Sequence, residues 1–156
     1  MAVERIEPPA SRSLPPHNIE AEQSVLGAML VNPNAITAVT EVLTADDFYR
    51  DTHRLIYRAA LTLFERGEEV DVITLSAQLE REGMLERAGG RDFVHTLAEF
   101  VPAAANAAHY AGIVREQNVL RSLIRVGNEI AELGYQHPGE TRDLLDRCEQ
   151  KVFAIQ

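Results

Sequence analysis

Apolar residues return along most of this chain at intervals of three and four positions, the period that lays them on one side of an α-helix. The first such run follows Asn18, a residue suited to capping a helix start. Glu20 and Glu22 stand in its electropositive first turn, and Val25, Leu26, Met29 and Leu30 form its apolar stripe. Asn32-Pro33-Asn34 ends it. A second, short run carries Ile36, Val39 and Leu43, after which Thr44 to Asp47 supply turn and capping chemistry. The third run is better marked: Asp51 can cap it, Leu55, Ile56, Ala59, Ala60, Leu63 and Phe64 repeat at helical spacing, and Gly67 can take the left-handed stop. Val70 to Leu75 alternates like a strand, but no second strand-like run exists to pair with it, so the pattern predicts an extended connector. Thr74 then caps a short helix ending at Gly83. Gly89-Gly90 opens another, containing Phe93, Val94, Leu97 and Phe100, and Pro102 follows it.

The pattern changes at Asn106. Ala107 to Leu133 has no proline and keeps Tyr110, Ile113, Leu120, Leu123, Ile124, Ile130 and Leu133 broadly on one side, which predicts a helix roughly 40 Å long. After Gly134 to Gly139, Thr141 can cap a last helix with Leu144, Leu145, Cys148, Val152 and Ile155 at i, i+1, i+4, i+8 and i+11. The short turn sends it back antiparallel. The predicted fold is all-α: a compact multi-helix head over residues 18–102, then an antiparallel helical hairpin over 106–156, together one domain. Residues 1–17, with Pro8, Pro9, Pro15 and Pro16 and no apolar period, are predicted to form a flexible arm. A helical hairpin cannot cover so wide an apolar stripe by itself, so self-association is expected. The last residues, Phe153-Ala154-Ile155-Gln156, carry neither Gly nor Pro, which is the expectation for a cut between domains.

Composition narrows the class. The chain has 156 residues, 46% of them hydrophobic and 25% charged, enough for one packed core; with 6% aromatic residues and no Trp, that core is expected to be aliphatic. No stretch approaches the roughly 18 apolar residues that cross a bilayer, and the Pro-rich start lacks the apolar block of a signal peptide, so a cytoplasmic location without membrane contact is expected. Cys148, the single cysteine, has no disulfide partner and no zinc-spaced neighbour, and is expected in the core. The formal net charge of −9 repels phosphate, so DNA binding by this segment alone is expected to be weak or absent.

Chemistry is mostly excluded. A nucleotide motor needs a loop of the form GxxxxGK[ST], whose backbone N–H groups cradle phosphates while its lysine reaches the outer ones. Lys151 is the only lysine and follows Gln150, so no catalytic residue and no cofactor is assigned to this segment. The five histidines, His17, His53, His95, His109 and His137, show no HExxH or HxxxH pair, and no metal site is assigned. Asp46-Asp47-Asp51 and Glu68-Glu69-Asp71 do not follow the calcium-loop pattern and read as solvated acids at helix starts. No GxSxG or SxxK arrangement activates a nucleophile. Gly27, Gly112 and Gly127 fall inside helices, where glycine marks close helix packing. Arg50, Arg54 and Arg58 form one i, i+4, i+8 stripe and Arg121 with Arg125 another; a solvated face paired with nearby acids is the expectation, and an acidic partner the alternative. Phe93, Ile124 and Ile130 are either partner contacts or interior residues.

Four segments carry a family resemblance: NIEAEQSVLGAML from Asn18 to Leu30, FYRDTHRLIYRAALTLFERGEEVDVITL from Phe48 to Leu75, GGRDFVHTLAEFVPAAANAAHYAGIVREQNVLRSLI from Gly89 to Ile124, and LLDRCEQKVFAI from Leu144 to Ile155. In this order they closely resemble the amino-terminal domain of the DnaB family of bacterial replicative DNA helicases. The resemblance implies a non-catalytic collar domain, with ATP, Mg and 5′ to 3′ DNA unwinding belonging to a separate RecA-like motor domain of the parent protein. It implies that hairpins pair two chains, that three pairs form a collar on a hexameric ring, and that the collar recruits primase through primase's helicase-binding domain. Carried onto this sequence, dimer contacts are expected from Ile113, Leu120, Leu123, Leu145, Val152 and Phe153, and primase-facing contacts from Phe93, Ile124, Ile130, Arg121 and Arg125. The alternatives are the helicase-binding domain of primase, against which EAEQSVLGAML and FERGEEVDVITL speak, and a free-standing helical oligomerisation adaptor.

Overall fold

The computed structural model describes residues 14–100 and 106–155, and every regular element among them is helical. Helix α1 (Ile19–Val31) begins where Asn18 Oδ1 accepts the Ala21 N–H at 3.0 Å. Asn32 then serves two helices. Its N–H closes α1 on the Ala28 carbonyl at 2.9 Å, and its Oδ1 accepts the Asn34 N–H at 3.0 Å to open α2 (Pro33–Thr40), with Pro33 in the first turn where its missing N–H costs nothing. A 3₁₀ turn (Ala45–Asp47) leads to α3 (Asp51–Glu65). Asp51 is the first helical residue of α3 and not its cap; it favours the positive helix end and pairs with Arg87 at 3.0 Å.

The connector expected over Val70 to Leu75 is largely helix. Helix α4 (Val72–Arg81) starts one turn earlier than the alternation suggests, because Asp71 and Thr74 form a reciprocal cap: Asp71 Oδ1 accepts the Thr74 N–H at 2.8 Å, and Thr74 Oγ1 accepts the Asp71 N–H at 2.9 Å. Thr74 is thus the third helical residue, and Leu75 and Leu79 fall one turn apart on the buried side. Helix α5 (Gly90–Glu99) follows, with Phe100 just past its end; Pro102 lies outside the described residues. Helix α6 (Ala107–Gln136) runs straight through Gly134, the chain reverses at His137 and Gly139, both at positive φ, and α7 (Thr141–Phe153) closes the sequence of elements with Glu140, not Thr141, at its cap.

Contacts divide the chain within α6. His17–Val119 forms one compact unit, and Leu120 onward, with Leu14–Pro16, forms the other. The first unit is the head. Its core gathers Val25, Leu26 and Met29 from α1, Ile56, Tyr57 and Leu63 from α3, Leu75 and Leu79 from α4, Val94 and Leu97 from α5, and Ala111 and Val114 from the start of α6. Helices α1 and α5 meet closely because Gly27 has no side chain: a Cβ there would stand 2.3 Å from the Leu97 carbonyl oxygen. Gly112 and Gly127, read alike in sequence, have no such neighbour within 4 Å.

The second unit is thinner. Val126 and Leu133 are buried two turns apart on α6, whereas α7 has no buried residue at all. Leu144, Cys148, Lys151 and Ile155 share its half-covered side, so Cys148 is not a core residue. Lys151 Nζ reaches Glu129 Oε2 on α6 at 3.0 Å. The flexible arm expected over residues 1–17 falls mostly outside the described residues. Of its last part, Pro16 offers its carbonyl to Arg121 Nη1 at 2.7 Å, and the His17 ring stacks on Tyr49 at 4.3 Å.

Candidate interaction surfaces

Two buried polar clusters hold the head's helices in place. Glu22 and His53 are 1% and 0% exposed, and Glu22 Oε1 lies 2.7 Å from His53 Nδ1. The same carboxylate accepts the backbone N–H of Tyr49 at 2.9 Å and of Arg50 at 3.4 Å, so one α1 side chain satisfies the entry to α3. The His53 ring is covered by Phe93 of α5, nearly parallel at 6.0 Å between centroids. The second cluster centres on Asp47, which is fully buried, a correction to the solvated-acid reading. It accepts the Thr44 N–H at 2.7 Å, Asn118 Nδ2 at 2.8 Å and Arg115 Nη1 at 3.2 Å, fastening the 3₁₀ turn to α6. Burial together with the Asp47 charge pushes the nearby Tyr57 phenol up to about 12, and its hydroxyl donates to the Leu43 carbonyl at 2.7 Å.

Apolar surface remains open on the second unit. On α7, Leu145, Val152 and Phe153 are 62%, 47% and 75% exposed; with Cys148 and Glu149 they line a shallow groove of about 420 Å³. On α6, Leu123, Ile124, Arg121, Arg125 and Gly127 join Leu14, Pro15 and Pro16 around a larger groove of about 880 Å³. Leu120 and Tyr135 are also exposed. The Lys151 ammonium hydrogen-bonds Glu129 and holds its carboxyl below the usual carboxylate range, and Arg125, at 3.5 Å, adds to the effect.

The expected site residues therefore separate. Leu145, Val152 and Phe153 are brought together and exposed. Leu123, expected at a dimer contact, and Ile124, expected to face primase, line the same groove with Arg121 and Arg125. Ile113 and Phe93 lie elsewhere: both are partly buried against the head's core. Ile130 is half-buried. The arginine stripes are engaged within the chain, Arg54 with the Phe48 and Tyr49 carbonyls, Arg58 with Asp46, and Arg125 with Glu129. Leu14 to Pro16, read only as part of an arm, turn out to wall the α6 groove. Among the described residues no group of three or more His, Cys, Asp or Glu is placed to hold a metal, and no helix is long and apolar enough to cross a membrane.

The described residues form an all-helical head and a helical segment with uncovered apolar surface, the class of an all-α domain. Comparison with known proteins specifies which. The chain belongs to the DnaB-like helicase N-terminal domain family, whose sequence profile matches residues 14–116. It is 46% identical over 142 residues to the replicative DNA helicase DnaC of Bacillus subtilis, covering 91% of this chain and 31% of that protein. It is 43% identical over 145 residues to the replicative DNA helicase DnaB of Geobacillus stearothermophilus, covering 93% and 32%. The chain thus spans about a third of the length of these relatives. The crystal structure of the N-terminal domain of DnaB helicase from Mycobacterium tuberculosis superposes with a TM-score of 0.86 at 43% identity, over 92% of this chain and all of that one. A DnaB-like replicative helicase, solved in a study of its interactions with primase, superposes with a TM-score of 0.72 at 25% identity, over 89% of this chain and 32% of that one.

Proposed function

We propose that this chain is the non-catalytic collar segment of a replicative DNA helicase, through which helicase chains associate and primase is held at the fork. The observation that carries this reading is α7: a helix with no buried residue and three large apolar side chains in the open needs a cover. A second α7 supplies one of matching character, and three such pairs would build a collar around a hexamer. In the parent protein, ATP, Mg and 5′ to 3′ unwinding belong to a separate motor domain. Primase recruitment draws support from the structural neighbour whose study concerned primase. Its benefit is effective concentration, since a tethered primase meets newly exposed template without chemistry from the collar.

Sedimentation velocity at about tens of micromolar tests the first part. The parent chain is expected to associate, and L145E/F153E to sediment as a monomer; a parent that stays monomeric refutes the α7 pairing. Calorimetric titration with the cognate primase carboxy-terminal domain tests the second. Absence of binding to the parent refutes recruitment, and undiminished binding by R121E/R125E removes those arginines from the contact.

A further inference from the structure

The head carries an open groove of its own, of about 550 Å³, that this reading leaves unused. It lies where α1 ends, α2 begins and α3 turns toward α4. Leu30 and Ile36 form a buried floor, while Val31 and Phe64 stand on its walls 47% and 38% exposed. The α3–α4 loop closes one side with Glu68, Glu69 and Asp71. Glu68 and Glu69 are exposed, and among the described residues neither side chain makes an ion pair or a hydrogen bond. No Lys, Arg or His lines the groove. An apolar floor under a one-sign rim selects its occupant by charge.

We propose that this groove docks a basic amphipathic segment of a partner protein, an apolar side chain entering between Val31 and Phe64 while flanking Lys or Arg residues meet Glu68, Glu69 and Asp71. The carboxylates that favour such a segment repel the phosphates of a nucleic acid, which would find no neutralising cation here. Gly67 puts no side chain across the opening, and Ile73, 78% exposed two residues beyond Asp71, extends the apolar surface in sequence.

The test uses the whole chain and a short fluorescein-labelled helical peptide with leucines on one side and arginines on the other, followed by anisotropy. Binding is expected to saturate, to weaken about tenfold in E68K/E69K, and to weaken less than about twofold in D143K/D146K, which changes net charge equally but lies on α7. V31S is expected to weaken it without altering charge. Backbone amide shifts on titration are expected at Val31, Phe64 and Glu68 to Asp71. Equal loss in both charge-reversed variants shows attraction to net charge alone and overturns the proposal, as does equal binding of the peptide with glutamate in place of arginine. A dimer of the parent that E68K/E69K abolishes gives the groove to a second copy, which also overturns it.

Discussion

Replacing Glu22 by alanine should be among the most damaging single changes in the head, even though Glu22 belongs to no proposed contact surface. Three donors converge on this buried carboxylate: the N–H groups of Tyr49 and Arg50 and the imidazole of His53. A hydrogen bond to a charged group contributes about 1.5–3 kcal/mol, and truncating one member of a buried pair costs about 3–5 kcal/mol because the other is left without its partner. The Arg50 contact is long at 3.4 Å and adds little, so the lower half of that range applies, about 3–4 kcal/mol. For a chain of this size that lowers Tm by about 10–15 °C. Glu22→Gln keeps one carbonyl acceptor but turns an amide N–H₂ toward other donors, and should lose about 2 kcal/mol. Urea denaturation at one protein concentration, with association held constant, gives these values from the midpoint at unchanged slope. A double-mutant cycle with His53→Ala should return a coupling of about 1–3 kcal/mol. If Glu22→Ala loses less than about 1 kcal/mol at constant slope, water or a shifted α3 entry satisfies those donors and the cluster does not organise the head.

Three further outcomes follow from the packing. Gly27→Ala places a methyl group against the Leu97 and Phe100 carbonyls, at 2.3 and 2.8 Å, and should lower stability by about 2–3 kcal/mol on chemical denaturation as α1 and α5 are forced apart. Tyr57 keeps its proton to about pH 12 when folded but loses it near 10 when unfolded. The folded state therefore binds more protons between these values, and stability present below pH 10 should fall by about 2–3 kcal/mol as pH rises to 12. Tyr57→Phe should unfold more easily at pH 7 yet lose less stability over that window. Lys151→Ala removes the ammonium that lowers the Glu129 carboxyl, so NMR titration should find that carboxyl moved up toward its ordinary range.

Helix boundaries were legible wherever one residue sufficed to set them. Asn18 caps, Asn32-Pro33 stops and restarts, and Gly67 takes its left-handed turn, all from local stereochemistry. Helix α4 was misread because Val70, Val72 and Ile73 favour strand while the cap that overrides them needs Asp71 and Thr74 together. The buried polar clusters were illegible for another reason: Asp47 meets Arg115 and Asn118 at separations of 68 and 71 residues, and Glu22 meets His53 at 31. An acid in a turn looks solvated until the fold brings its hydrogen-bond partners to it. The α7 row was visible as periodicity, but Leu144 and Leu145 are neighbours in sequence, and only the fold tells that Leu144 is half-covered while Leu145 is open. Ile113 and Phe93, offered as contacts by the family resemblance, are partly buried against the head's own core.

A thirteen-residue helix with no fully buried residue is near the length at which isolated helices are marginal in water. Its amide protons should therefore exchange through small local openings in a solitary chain, and slow sharply once a neighbour lies across Leu145, Val152 and Phe153. Hydrogen exchange at α7 then becomes a count of occupied neighbours, taken from within the subunit itself.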